Sequence, residues 1–140
     1  MRMLVCKLLL LLSASAFSLY GHAEYVVIIN PGIAADLSQQ DVERLFLAKT
    51  KTFPDGSIAV PVNQQEGSNI RVTFDSRING KNESQMKSYW AKLIFTGKAI
   101  PVRQLGSDQE ILKFVANQPG AIGYISANNA DSSVKVLFSF

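Results

Sequence analysis

The chain has 140 residues, a formal net charge of +3 at pH 7, one cysteine and one histidine. Cys6 and His22 both lie in the first 23 residues, so residues 24–140 can form no disulfide, no zinc site that uses histidine and no Ser-His or Cys-His catalytic pair. Arg2 and Lys7 supply two of the 14 basic residues, which leaves 12 against 11 acidic residues in the remainder. Because nucleic-acid binding requires a clustered basic face, this balance gives no support to a nucleic-acid partner.

Residues 1–23 have the three parts of a secretory signal peptide. Arg2 and Lys7 are basic, an apolar stretch begins at Leu8, and Gly21-His22-Ala23 has the small-x-small pattern of a cleavage site. An uncleaved amphiphilic anchor is the alternative. Cys6 precedes the apolar stretch and is therefore too early for lipid attachment. We expect cleavage after Ala23, a periplasmic product comprising residues 24–140 as one domain, and no stable membrane span after cleavage.

The first half of this domain alternates between strand and helix signals. The apolar run Tyr25–Asn30 predicts a strand buried on both faces, which Pro31-Gly32 ends. Ser38 and Asp41 predict a capping box at the start of a helix that ends near Lys49. Residues 57–63 predict a second strand, and its Pro61 favours an edge strand or a distal strand end, because proline cannot donate a ladder hydrogen bond.

Three helices and two strands are predicted in the second half. Ser68 caps a helix that ends at Asn79-Gly80, and Ser107 caps the last helix. Between them, a helix from about Ser84 to Thr96 carries an apolar stripe expected to pack in the core. The members of this stripe are Met86, Tyr89, Trp90, Leu93 and Ile94. Strands over residues 121–125 and 134–138 complete the order β-α-β-α-α-α-β-β.

A polar loop between the second strand and the Ser68 helix is the best candidate for a binding site. Free backbone N–H groups and the positive end of the helix dipole meet there, and Gly67 lets a ligand approach the backbone. The candidate ligand-binding residues are Gln64, Gln65, Glu66, Gly67, Ser68, Asn69 and Arg71. The alternative is that Ser68 only caps the helix and that Arg71 only forms a solvent-exposed pair with Glu66 or Asp75.

Four motifs in order resemble the second lobe of the phosphate-binding proteins of ABC transporters. They are Leu45-Phe46-Leu47-Ala48-Lys49, Phe53-Pro54-Asp55-Gly56, Val60-Pro61-Val62 and Pro119-Gly120-Ala121-Ile122-Gly123-Tyr124. The resemblance runs from about Val26 to Val136. It implies an α/β fold, a single lobe of a type 2 periplasmic-binding-protein fold with a mixed sheet flanked by helices.

The resemblance carries over to the loop only in part. Glu66-Gly67-Ser68 matches Asp-Gly-Ser in the family's Arg-x-Asp-Gly-Ser-Gly-Thr anion loop, but Gln64 stands in the place of the arginine. The resemblance implies that Glu66 accepts the proton of a protonated oxyanion, which would discriminate against sulfate. Family members close two lobes around the ligand, whereas this chain has residues enough for one, so weak binding is expected.

Three functions are therefore open at the level of sequence. The first is a periplasmic substrate-binding-like protein for phosphate or a related oxyanion, with an ABC transporter or other envelope protein as partner. The second is an interaction module of the cell envelope that retains the lobe fold. The third is a hydrolase that uses Glu66 with Asp75 or Asp36, although no spacing brings two carboxylates together in a recognised way. We expect a binding protein rather than an enzyme, with no cofactor and no metal.

Overall fold

The computed structural model describes residues 24–140, so the expected signal peptide and its cleavage site lie outside the described residues. The elements are β1 (Tyr25–Ile29), α1 (Gln39–Phe46), β2 (Val60–Asn63), α2 (Asn69–Arg77), α3 (Glu83–Phe95), β3 (Arg103–Gln104), α4 (Asp108–Asn117), β4 (Ala121–Ser126) and β5 (Lys135–Ser139). The expected order is confirmed apart from β3, which is only two residues long and therefore leaves no periodic pattern in the sequence.

One mixed sheet in the order β3-β2-β4-β1-β5 organises the domain. The strand β4 is parallel to β2 and antiparallel to β1. Successive residues of β1 enter different cores: Val27 packs with α1 and α2, whereas Ile28 packs with α4 on the opposite face. The prediction that β1 is buried on both faces is confirmed, because helices cover both sides of the sheet.

The capping signals in the sequence mark the helix starts correctly. Ser38 and Asp41 form the predicted capping box, and the side chains of Ser68 and Ser107 each accept a backbone N–H three residues on. Each cap satisfies an amide that has no partner inside its own helix. The start of α2, beside the candidate loop, is therefore fixed by local chemistry.

The prediction that Pro61 marks an edge strand or a distal strand end is wrong, because Pro61 is the second of the four residues of β2. The strand β2 lies between β3 and β4. However, β3 pairs only with Val62 and Asn63, so β2 has no neighbour on that side at Pro61. A residue without an N–H is tolerated there because no ladder hydrogen bond is left unmade.

The prediction that the α3 stripe packs in the core is also wrong for most of its members. Only Met86 is buried, while Tyr89, Trp90 and Leu93 are half-buried and Ile94 is 48% exposed. The Tyr89 hydroxyl donates a hydrogen bond to the carbonyl of Leu47 at 2.6 Å, which ties α3 to the end of α1. Most of the stripe is therefore at least partly covered, and its exposure is greatest at the C-terminal end of α3, at Ile94.

Candidate functional site

The anion loop, residues 64–69, connects the end of β2 to the first turn of α2. Gly67 has φ +84°, a conformation that glycine adopts without strain, and a Cβ there would meet no atom within 4 Å. The Ser68 hydroxyl accepts a hydrogen bond from the backbone N of Arg71 at 3.4 Å and donates one to the carbonyl of Gln65 at 2.7 Å. Ser68 therefore does cap the helix, and its hydroxyl already donates a hydrogen bond within the loop.

Within residues 24–140, three backbone amides at or just before the start of α2 have no protein acceptor. The N–H of Glu66 donates to Oε1 of Gln104 at 3.1 Å, and that of Ser68 donates to the carbonyl of Gln65 at 3.2 Å. Among the residues that the structure describes, the N–H groups of Gly67, Asn69 and Ile70 have no such acceptor. This trio lies at the positive end of the α2 dipole, where anions are favoured.

Arg71 is buried and belongs to a charged network inside the domain. Its Nε donates to Oδ2 of Asp75 at 3.1 Å and its Nη1 donates to the carbonyl of Gln64 at 2.9 Å. The side chains of Arg71 and Asp75 are 9% and 5% exposed, so this is a buried pair rather than the solvent-exposed pair considered from the sequence. The remaining nitrogen, Nη2, donates to no atom of residues 24–140.

Asp75 is the titratable group whose state depends most on this network. Burial raises the pKa of the Asp75 carboxyl, and the nearby Arg71 charge and the hydrogen bond from Asn79 Nδ2 at 2.9 Å oppose that rise. The Oδ1 atom of Asn79 is buried without a partner. The network therefore holds a carboxylate in a place where only its two partners make the charge tolerable.

Gln64 points into the domain rather than toward a ligand. Its Nε2 donates to Oδ1 of Asp108 at 2.7 Å and to the carbonyl of Tyr124 at 3.0 Å, and the residue is 4% exposed. This amide stands where the resembled family has its arginine, and it anchors the loop to α4 and β4. The structure thus gives Gln64 a positioning role, since its side-chain donors are already used.

Tyr124 fixes the start of the anion loop through its buried hydroxyl. Its hydroxyl donates to Oδ1 of Asn63 at 2.7 Å and accepts from the backbone N of Gln64 at 3.2 Å, while its ring stacks on Phe74 at 3.8 Å. Burial raises the pKa of the Tyr124 hydroxyl, so the group stays protonated and can donate. The end of β2 and the first residue of the anion loop are therefore fixed by one buried phenol.

We expect Tyr124→Phe to lower the free energy of unfolding by about 1–3 kcal/mol, because the N–H of Gln64 and Oδ1 of Asn63 both lose their partner in a buried place. Urea unfolding measures this change. Tyr89→Phe is the control, since it removes one hydrogen bond, where Tyr124→Phe removes two, and Tyr89 is only half-buried. Equal losses in the two variants would contradict the supporting role of Tyr124.

A cavity of about 270 Å³ lies between the anion loop and α3. Its lining includes Glu66, Gly67 and Arg71 from the candidate set, and the remaining candidates lie beside it or face inward. Among the lining residues outside the sequence-predicted ligand-binding set are Asn63, Lys87, Trp90 and Gln104. Trp90 was assigned to the core, and Gln104 lies in the short strand β3, so neither had a local signal pointing to the loop.

The cavity carries charges of both signs. Arg71 and Lys87 face it together with Glu66, Asp75 and Glu83. The Arg71–Asp75 pair is buried, whereas Lys87 Nζ and Glu66 Oε1, 3.7 Å apart, are mostly exposed and contribute little to stability. Asp36, which was considered for hydrolysis, is exposed and does not line the cavity.

The residues that the structure describes contain no group of three or more His, Cys, Asp or Glu side chains placed to hold a metal ion. Within residues 24–140, no helix is both long enough and apolar enough to cross a membrane.

Comparison with known proteins gives a fold. No protein-family model and no curated protein matches the chain. Several solved structures match the chain. One is a phosphate ABC transporter substrate-binding protein from Clostridium perfringens with bound phosphate, which has a TM-score of 0.65 at 19% identity. The match covers 82% of this chain and 45% of that one. An ABC-type phosphate transport receptor from Vibrio cholerae has a TM-score of 0.63 at 16% identity, with coverage of 82% and 46%.

PstS from Borrelia burgdorferi is similar to the same degree, with a TM-score of 0.61 at 14% identity and coverage of 82% of this chain and 47% of that one. The chain thus spans less than half the length of these solved proteins. Identities this low establish the fold alone. The chain has the mixed α/β fold of a periplasmic-binding-protein lobe, with a five-stranded sheet flanked by helices.

Proposed function

We propose that the protein is a periplasmic substrate-binding-like protein that binds phosphate or a related inorganic oxyanion at the start of α2. The observation that carries this proposal is the trio of N–H groups without acceptors, on Gly67, Asn69 and Ile70, in a lobe whose solved neighbours include a protein with bound phosphate. Backbone amides at a helix start point at an anion and need no side-chain charge to bind it.

The residues around the trio suit a small anion. Gly67 leaves open space at the point of closest approach, and Arg71 faces the cavity with Nη2 still without an acceptor in the described chain. Gln65 and Asn69 are exposed and do not line the cavity. Ser68 contributes by fixing the helix start, and Gln64 by anchoring the loop.

Glu66 sets the protonation state that the site accepts. With Asp75 and Glu83 it gives the cavity three carboxylates against two cations. A fully deprotonated tetrahedral anion such as sulfate is repelled by these groups, whereas a protonated phosphate donates a hydrogen bond to the Glu66 carboxylate. We therefore infer a preference for phosphate over sulfate.

Binding by this lobe is weak when it acts alone. The cavity opens to solvent, where each hydrogen bond to an anion counts for less than in an enclosed site. An ABC transporter or another envelope protein is the partner class that would complete the site. The signal-like residues 1–23 and the lobe fold support a periplasmic location, and a binding role rather than catalysis is supported by the engagement of Asp75 with Arg71 and Asn79.

Asn69→Pro tests the amide trio directly. Asn69 is the first residue of α2, and proline at this position removes one N–H without breaking the helix. Ser68 has φ −68° and ψ 148°, which is compatible with a following proline. We expect phosphate to raise the melting temperature of the unaltered protein. At about a hundred times its dissociation constant, it should add roughly 2.7 kcal/mol to the free energy of unfolding. Asn69→Pro should reduce the rise in melting temperature.

The control is Gln39→Pro, which places proline at the first residue of α1, away from the loop. Its phosphate response should match that of the unaltered protein. Sulfate, nitrate and chloride at equal ionic strength should give smaller rises. No rise with phosphate at millimolar concentration, or an equal rise with all four anions, would overturn the proposal.

A further inference from the structure

Three of the five exposed large apolar residues in residues 24–140 line one groove, the fourth is next in the chain to one of them, and the fifth, Val136, lies on β5. Ile58 is 74% exposed, Ile94 48% and Ile100 86%, and Phe95, in the chain beside Ile94, is 93% exposed. Isolated exposed apolar residues are ordinary, but a contiguous group of large ones marks a surface that another molecule covers. The C-terminal end of α3 contributes to this surface, since Ile94 and Phe95 are both exposed there.

Three of these residues line a concave groove of about 710 Å³. Ile58 lies before β2, Ile94 lies near the end of α3, and Ile100 lies in the segment that leads to β3. Pro61, Pro101 and Val102 complete an apolar floor. We call this surface the basic groove, because the charged residues that line it within residues 24–140 are Lys51, Lys98 and Arg103, with no carboxylate among them.

We propose that the basic groove binds an acidic segment of a partner protein that carries apolar side chains. The apolar floor supplies binding energy through burial, and the three cations select carboxylates on the partner and speed its approach. This combination differs from the anion loop, where charges of both signs are present. The proposal stands on the groove itself and does not depend on phosphate binding.

Charge and shape favour this occupant over two others. A second copy docking groove to groove would bring two sets of the same three cations together, which opposes association. An anionic membrane surface would satisfy the cations, but a concave groove accepts a protruding segment better than a flat bilayer surface. The partner segment is therefore expected to be convex, such as one face of an amphipathic helix.

The basic groove shares a wall with the cavity beside the anion loop. Ile94, Pro101 and Val102 line both. Variants that test the groove must therefore avoid these residues, so that an effect on the groove is not confused with one on the anion site. Lys98 and Ile100 line only the groove and are exposed, so replacing them should leave the fold intact.

The experiment selects peptides from a random library displayed on phage, using the purified protein as bait and the double variant Lys98→Glu/Ile100→Asp for counter-selection. Enriched peptides are then synthesised with a fluorophore, and their affinity is measured by anisotropy. We expect them to combine Asp or Glu with large apolar residues. The double variant should lower their affinity by at least about tenfold, and added salt should weaken binding.

Lys135→Glu/Val136→Asp is the matched control, because both residues are exposed on β5, at the sheet edge opposite β3. Its peptide affinity should equal that of the unaltered protein. The phosphate response of Lys98→Glu/Ile100→Asp is measured in parallel and should be retained, so that failure of the groove and failure of the anion site give different results.

Several outcomes would overturn the proposal. One is that no peptide is enriched, and another is that the enriched peptides lack acidic residues or bind the double variant equally well. Sedimentation with vesicles of equimolar phosphatidylserine and phosphatidylcholine, if lost in the double variant while acidic peptides do not bind, would assign the groove to a membrane surface. Self-association abolished by Ile100→Asp would assign it to a second copy of the chain.

Discussion

Replacing Arg71 with methionine is expected to lower the free energy of unfolding by about 3–5 kcal/mol, because it leaves a buried carboxylate without its charged partner. Asp75 is 4% exposed and would keep only the hydrogen bond from Asn79. The carbonyl of Gln64 would also lose the donor that now reaches it at 2.9 Å. Methionine fills much of the volume of the arginine stem, so the decrease in the free energy of unfolding comes more from the removed charge than from lost packing.

The loss should depend on pH in a defined direction. Burial already raises the pKa of Asp75 in the folded protein, and removing Arg71 removes the charge that opposes this rise. A carboxyl whose pKa is raised by folding contributes most to stability below its ordinary pKa of 3.8, and this contribution is lost as the pH rises through the folded-state pKa. Arg71→Met should therefore be least destabilising in acid and increasingly destabilising toward neutral pH.

Urea unfolding of the Arg71→Met variant across this pH range provides the measurement. The companion variant Arg71→Met/Asp75→Asn removes both charges, while the new amide oxygen can still accept the hydrogen bond from Asn79. It should be more stable than Arg71→Met near neutral pH, and it should lose the pH dependence that the single variant shows. A loss in Arg71→Met that is the same at every pH would contradict the buried-pair explanation.

These two variants also separate structure from binding. Arg71 has Nε and Nη1 engaged inside the domain, and only Nη2 remains for an anion. If the amide trio supplies most of the binding free energy, the double variant should still respond to phosphate, with a smaller rise in melting temperature. Complete loss of the response in a folded double variant would make the guanidinium the principal ligand instead.

Local signals in the sequence predicted the parts of this domain that short-range chemistry determines. The caps at Ser38, Ser68 and Ser107 follow from side chains that satisfy nearby amides, so the helix starts could be predicted without knowledge of the fold. For Arg71 the sequence left a pair with either Glu66 or Asp75 open, and the structure shows the pair with Asp75. Its burial could not be predicted, because it depends on elements that are distant in sequence.

The failed predictions all concern contacts between such distant elements. Gln64 was expected to face a ligand, but it is held by Asp108 and Tyr124, which lie 44 and 60 residues further along the chain. The α3 stripe has helical periodicity, yet periodicity shows only that one face is apolar and does not identify what covers it. In this domain three of its members are only partly covered, and its exposed end at Ile94 lines the basic groove.

Gly120→Ala is the second substitution with a large expected effect. Gly120 has φ +78°, and a Cβ there would lie 2.3 Å from the carbonyl oxygen of Ile58. The carbonyl of Gly120 also accepts a hydrogen bond from the backbone N of Val60 at 2.9 Å, at the point where β2 begins to pair with β4. The chain must therefore adopt a strained conformation and also separate two backbone segments, for a combined loss of about 2–5 kcal/mol.

Gly97→Ala separates these two causes. Gly97 has φ +66°, but a Cβ there would meet no atom within 4 Å, so only the backbone strain applies and a loss of about 1–2 kcal/mol is expected. Urea unfolding gives both values, and hydrogen exchange at the Val60 amide reports whether the start of β2 has moved away from β4. Faster exchange at Val60 in Gly120→Ala alone would show that close backbone approach, and not the glycine conformation by itself, requires a residue without a side chain at this turn. Equal losses in the two variants, with unchanged exchange, would mean that the β2–β4 junction can relax around a methyl group. The strand β2, which leads into the anion loop, would then be less rigid than its hydrogen bonds indicate.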